Sequence, residues 1–226
     1  MKGKSRTYSL DANKAAVDAL QDLLSATSSE YYQKTMITLG IELGSVLRTR
    51  LENGSKCLVV STAEDADFLS RGVRESIQSS FDTKVVVFWN NHYSLKTGGS
   101  VAPIVHKFMQ RGYEDSDTLV IVKSVISGSC VVRTNILALI ERVKADKIFV
   151  VSPVMHKNSE ENLTKEFPSE VSSKFSFIYF AKDEEKDTTG EVKPGIGGQI
   201  YTLLGMDDQP ARTAYMPETV KQLAFS

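Results

Sequence analysis

Residues 118–133, TLVIVKSVISGSCVVR, constrain what this chain can fold into more than any other stretch. Leu119, Val120, Ile121 and Val122 would be apolar on both faces of a strand, which belongs inside a parallel sheet. A run of small residues follows, Ser127-Gly128-Ser129. Then Val132, Ile136, Leu139, Ile140 and Val143 recur at helical spacing. Strand, small-residue loop and helix together aim unpaired backbone N–H groups at one point, where an anion gains roughly 0.3–1 kcal/mol per charge. Gly128 lets backbone approach a ligand closely, and the serines add hydroxyl donors. The same pattern also serves as a plain tight turn, so a phosphate loop and a simple connection both stand at this point.

The rest of the chain reads around that unit. Residues 1–8 look like a loose basic arm. Asp11 is placed to cap a helix over about 12–24, and a longer helix is expected over about 30–52, with Asn53-Gly54 as its stop. Gly40 and Gly44, four apart, invite close packing against another backbone, within the core or between subunits. After Gly54 the pattern alternates. Strands are expected at 57–60, 85–89, 119–122, 148–151 and 175–180, with Pro153 breaking the fourth. Helices are expected at 66–77, 101–110 and, disturbed by Pro168, at 160–174. Residues 90–100 are polar and too long for a tight turn. Such alternation predicts an α/β fold with a mainly parallel, twisted sheet and helices on both faces. Ligands of such sheets bind at the carboxyl ends of strands, so the loops after Val60, Trp89, Val122 and Phe180 compete for the site. The expected organisation is a helical segment over 1–54 packed on a core of 55–182, with a loop and tail over 183–226.

The 226 residues suit one domain of this kind. A net charge of -1 advertises no nucleic-acid partner. Cys57 and Cys130 lack metal or redox spacing and read as buried thiols of a reducing compartment. No apolar run is long enough to span a membrane, and no signal-type segment follows the basic start. A soluble cytoplasmic protein with no membrane partner is expected.

At this point residues 35–205 resemble the type I phosphoribosyltransferases. Leu119–Val122, Lys123-Ser124, Val125-Ile126 and Ser127-Gly128-Ser129 resemble that family's ribose 5-phosphate loop. The strand at 85–89 and the stretch at 90–100 resemble its mobile active-site loop. Pro194-Gly195-Ile196-Gly197, with the later Leu204-Gly205, resembles the base-binding tail of uracil phosphoribosyltransferases. The resemblance implies that Ser127, Gly128, Ser129 and Cys130 hold a 5-phosphate and that Lys123 and Ser124 lie near the ribose. It also implies that Pro194, Gly195, Ile196 and Gly197 read the base by their backbone groups. The partner would be a nucleotide, or phosphoribosyl diphosphate with a nucleobase, and the protein a homo-oligomer.

Two departures qualify the resemblance. The family's acidic pair after the central strand is here Lys123 and Ser124. A bare ammonium there opposes an oxocarbenium-like transition state and instead strengthens an anion site. After the first strand, Glu64, Asp65 and Asp67 replace a small or basic loop. They either carry a diphosphate through Mg2+ or only charge the first turn of a helix. Three functions therefore remain open: a transferase, a catalytically inactive nucleotide sensor or partner-binding module, and a glycosidic-bond hydrolase using Glu64 or Asp65. Among other candidates, Lys96 could reach a diphosphate and Tyr93 or Trp89 could stack on a base, Trp89 being equally a core residue. Asp183, Glu184 and Glu185 read as a solvated loop, His156 as a surface residue, and His92 and His106 have no partner at metal spacing. The amphipathic tail at 212–226 should dock on its own domain or on a second subunit.

Overall fold

The computed structural model describes residues 6–95 and 99–224. Lys96 lies outside them, as does most of the basic arm. Its strands are β1 (Arg6–Tyr8), β2 (Lys56–Thr62), β3 (Asp82–Asn90), β4 (Tyr93–Ser94), β5 (Ser100–Val101), β6 (Ile104–Met109), β7 (Thr118–Val122), β8 (Val125–Ile126), β9 (Lys147–His156), β10 (Phe175–Asp183), β11 (Glu185–Lys186) and β12 (Val192–Lys193). The main helices are α1 (Lys14–Ser25), α2 (Ser29–Arg50), α3 (Leu69–Ile77), α4 (Cys130–Leu137) and α5 (Ser159–Lys165).

The main sheet runs in the order β1-β10-β9-β7-β2-β3-β6. Its five inner strands, β10, β9, β7, β2 and β3, are parallel, and the edge strands β1 and β6 are antiparallel. Chain order reverses between β2 and β7: from β2 the chain steps outward to β3, then returns to β7 on the other side. The crevice beyond the carboxyl ends of two such strands is where this architecture leaves room for a ligand.

Side chains on the inner strands alternate between two oily layers. Cys57 and Val59 of β2, with Val120 and Val122 of β7, face α1, α2 and α3, whereas Leu58, Val60, Leu119 and Ile121 face α4 and α5. Helices therefore cover both faces, in agreement with the α/β reading. Ridges of α2 and α3 lie unusually close. A Cβ on Gly40 would come within 2.2 Å of the Leu69 carbonyl oxygen, and one on Gly72 within 2.3 Å of that of Ile37. The small residues of α2 serve packing inside the chain.

Several local expectations are corrected. Arg6–Tyr8 is not a loose arm but an edge strand, fastened by Arg6 to the buried carboxylate of Asp183 at 2.8 and 2.7 Å. The cap of α1 is Asn13, whose side chain accepts the Ala16 amide, while Asp11 pairs with Arg50. Residues 104–109 form a strand and not a helix. Ile104, Val105 and Phe108 suit a pleated surface, and the free edge of β3 offers a hydrogen-bonding partner that a helix cannot use. The strand holding Pro153 continues through it. Val151 is the last partner of β7 and Val154 the first of β8, so the proline falls where the ladder changes partners and its missing N–H costs nothing. The tail docks on its own domain. Val220 and Leu223 pack near Trp89, and the Asp67 carboxylate accepts the Tyr215 hydroxyl and the amides of Glu218 and Thr219 at 2.8–2.9 Å. Trp89 belongs to that core and donates to the Tyr215 carbonyl.

Candidate functional site

Parallel pairing of β2 with β7 sets Ser61 opposite Val122, so the residues that leave the two strands emerge side by side. There Lys123 Nζ lies 2.6 Å from Asp65 Oδ2 and 3.3 Å from Glu64 Oε1. It also donates to Ser124 Oγ at 2.9 Å. The Thr62 hydroxyl and the Ser124 amide donate to the same Asp65 oxygen, at 3.0 and 3.3 Å. All four of Lys123, Ser124, Glu64 and Asp65 are buried. Glu64 and Asp65 thus do more than charge a helix start: α3 begins only at Leu69, and both acids turn inward to neutralise a lysine.

Removing three ionisable groups from water is costly, and their mutual pairing is what makes it tolerable. Burial pushes the Glu64 carboxyl above its ordinary range. The Lys123 charge pulls it back and the Asp65 charge pushes it further up, with a net rise. For Lys123, burial alone would favour the neutral amine. The charges of Asp65 and Glu64 outweigh burial and hold it protonated. The trio therefore carries no net positive charge in either protonation state of Glu64.

A cavity of about 830 Å3 opens over this pair. Lys123 and Glu64 form part of its wall, with Ser127, Gly128 and Cys130 from the small-residue loop and Ile196 from the later Pro-Gly turn. Ser124 and Asp65 are not on the wall. They stand behind Lys123 and orient it. Ser129 also turns away, its hydroxyl donating to Glu166. The Ser127 hydroxyl donates to the Gly190 carbonyl. Among the described residues, nothing accepts a hydrogen bond from the amides of Gly128, Ser129 or Cys130. These are the orphan donors expected at the start of α4. Gly128 is not in the left-handed region, and a Cβ on it would meet nothing within 4 Å. Neither backbone strain nor protein packing calls for glycine there.

The Pro194–Gly197 segment is different. The Gly195 amide donates to Asp183 Oδ2 at 2.8 Å and its carbonyl accepts from Arg6. Tyr32 donates to the Ile196 carbonyl at 3.0 Å, and the Gly197 amide donates to Pro194. The Gly195 amide and carbonyl, the Ile196 carbonyl and the Gly197 amide are thus engaged inside the protein, and these bonds shape the turn. The Ile196 side of the turn reaches the cavity, together with Gly198, Gln199, Ile200 and Tyr201. Asp183 is the organiser of this turn rather than a solvated charge. Its position at the buried end of β10, in register with Arg6, was not visible in a sequence where it opens a run of acids.

Other candidates divide between wall and core. His92 and Tyr93 are on the wall, and Gln209 brackets His92 by accepting its amide at 2.7 Å and donating to its carbonyl at 2.8 Å. His156 is buried between the Glu184 carbonyl and the Asn158 amide. Arg212, Gln209 and Lys186 were missed as wall residues. They come from the last quarter of the chain, and only tertiary folding brings them there.

Of the acids expected to meet magnesium, only Glu64 is on the wall. Asp65 is behind the wall with one oxygen already holding Lys123, and among the described residues no three metal-ligating side chains converge. No helix among the described residues is long and apolar enough to cross a membrane.

No protein-family model matches the chain, and neither does any curated protein. Solved structures with a similar chain path include a hypoxanthine phosphoribosyltransferase from Staphylococcus aureus, at 16% identity over 58% of this chain and 67% of that one, with a TM-score of 0.42. An adenine phosphoribosyltransferase from Thermoanaerobacter pseudethanolicus is 14% identical over 63% of this chain and 78% of that one, TM-score 0.39. A purine phosphoribosyltransferase from Pyrococcus horikoshii is 14% identical over 66% and 85%, TM-score 0.40. At such identities and TM-scores the likeness assigns neither an activity nor a ligand to this chain.

Proposed function

We propose that the cavity binds a ribose 5-phosphate group, carried by a nucleotide or by phosphoribosyl diphosphate. The observation that carries this reading is the row of amides without acceptors, among the described residues, beside the buried ion pair. Three amides without acceptors and a glycine that the protein itself does not need stand at the point where strand order reverses. An anion on those amides would satisfy donors that have no acceptor among the described residues, and it would lie at the positive end of α4. The sugar would then extend over Lys123 and Glu64, and the base toward Ile196, Gln199 and Tyr201.

The reaction that suits this arrangement is phosphoribosyl transfer to or from a nucleobase. Lys123 does not oppose positive charge growing on the sugar, because Asp65 and Glu64 neutralise it. With its three N–H groups directed at Asp65, Glu64 and Ser124, Lys123 acts instead by fixing the Glu64 carboxyl at the wall. Glu64, on the wall and raised toward the protonated form, can pass a proton to a departing base or hold the charge of the sugar. Positioning supplies most of the acceleration for a loosely bonded transition state. Magnesium would arrive with the diphosphate rather than on a protein site.

A second reading, a sensor that binds the nucleotide without turning it over, is favoured by the retreat of Asp65 and Ser124 from the wall. Calorimetric titration with phosphoribosyl diphosphate and with nucleoside monophosphates, with and without magnesium, separates the two. Magnesium-dependent binding of the diphosphate, followed by product formation with a nucleobase, supports transfer. Magnesium-independent binding of a monophosphate without turnover supports the sensor. Absence of binding by either ligand contradicts the proposal. If a bound nucleotide is hydrolysed, unchanged turnover in Glu64→Gln removes that carboxylate from the chemistry.

A further inference from the structure

The hairpin made by β11 and β12 lies against the small-residue loop, and its charges are unevenly matched. Lys193 Nζ sits 3.0 Å from Asp187 and 3.4 Å from Glu191, so it answers two of the hairpin's three acids; the third, Glu185, is exposed on β11. Asp187 also ties the turn together, accepting from the amides of Thr189 and Glu191 and from the Thr189 hydroxyl at 2.7–3.0 Å. Lys186 is left over. Among the described residues no carboxylate lies within ion-pair distance of it. Its ammonium donates to the Ser127 carbonyl at 2.5 Å and is part of the cavity wall. On the other side of that contact, the Ser127 hydroxyl donates to Gly190 of the same hairpin. Two hydrogen bonds therefore clamp the hairpin to the loop, and the clamp brings an uncompensated cation to a set of amides that lack acceptors.

We propose that Lys186 is the counter-charge for the phosphate held by this loop, so that the site is assembled from two segments: the start of α4 supplies neutral donors and the hairpin supplies the charge. The inference rests on the proposed ribose 5-phosphate site and adds its specificity for a dianion. Amides and a helix end favour any anion modestly, whereas an ammonium that spends one of its three donors on the Ser127 carbonyl, with no carboxylate partner among the described residues, adds a charge-assisted hydrogen bond. Lys123 cannot take this role, because Asp65 and Glu64 already hold it. Asp187 and Glu191 are taken by Lys193, and neither pairs with Lys186.

The test is calorimetric titration of the full chain with ribose 5-phosphate, comparing the parent protein with Lys186→Gln and Lys186→Arg, with thermal unfolding of each as the control for folding. Lys186→Gln should bind about tenfold or more weakly, as loss of one charge-assisted contact requires. Lys186→Arg should recover most of the affinity, and all three proteins should melt together. Equal affinity in the parent and Lys186→Gln would overturn the role of Lys186 and leave the site standing. A parent protein that does not bind ribose 5-phosphate would overturn both.

Discussion

Two glycine-bearing segments reach the cavity, and they are built in opposite ways. In the Pro194–Gly197 turn, the backbone groups of Gly195, Ile196 and Gly197 named above have partners within the protein, and Gly195 has no room for a side chain. At φ +58, its Cβ would come within 2.2 Å of the Val192 carbonyl oxygen. At Gly128 there is room, no strain, and no acceptor for the neighbouring amides among the described residues. A glycine in a filled turn is required by folding. A glycine in an open loop is explained by something that comes from outside. The two motifs look alike in sequence, and only the location of their hydrogen bonds separates structure from function.

That contrast can be broken by substitution. The largest effect should come from the filled side. Asp183→Ala leaves the guanidinium of Arg6 without its partner beside an unpaired Gly195 amide, and loss of a buried pair of this type costs about 3–5 kcal/mol. Urea unfolding measures it, and a loss under about 1 kcal/mol would mean that the turn is held by other contacts. Gly195→Ala comes next, at about 2–3 kcal/mol from backbone strain and overpacking together. In both variants ligand binding should fall only as far as the folded fraction falls.

The buried ion pair predicts a pH signature of intermediate size. The Glu64 carboxyl titrates above its unfolded value, so the folded chain retains a proton that the unfolded chain releases once pH rises past about 4.3. Stability contributed by this group therefore falls as pH rises through that window and levels off above the raised folded value. Glu64→Gln has no such proton and should gain on the parent between pH 4 and pH 8 in denaturant unfolding. A constant difference across that range would mean that Glu64 titrates alike in the folded and unfolded chain. Lys123 acts at the alkaline end. Its raised value gives stability that is complete below about 10.4 and is lost as pH climbs through the folded value.

Much of the framework was legible in the sequence. The central strand, the small-residue loop and the helix after it appear where alternating oily runs put them, because burial on both faces leaves few other options for such segments. The pairing of Lys123 with Glu64 and Asp65 was not legible. Each could be placed at the end of a strand, but their contact depends on which strands are neighbours, and residues 58 positions apart carry no local trace of that. Residues 104–109 were misread for a related reason. Their pattern suits a helix or a strand, and the free edge of β3 decides. Asp183 and Lys186 lie in one charged run, yet one is a buried anchor and the other a cation on the cavity wall, since β10 ends between them.

The smallest expected effect on stability belongs to the residue on which the account depends most. Gly128→Ala adds one methyl group to open space at a permitted backbone conformation. It should leave unfolding unchanged or raise stability by about 0.4–1 kcal/mol through the unfolded chain. The measurement to make is therefore a paired one on this variant: urea unfolding, and calorimetric titration with ribose 5-phosphate beside the parent. A phosphate seated at Gly128 predicts a variant at least as stable as the parent that binds at least tenfold more weakly, because the methyl group occupies the place of the phosphate. Parent-like affinity in a stably folded Gly128→Ala would contradict it and leave residues 127–129 as a turn alone.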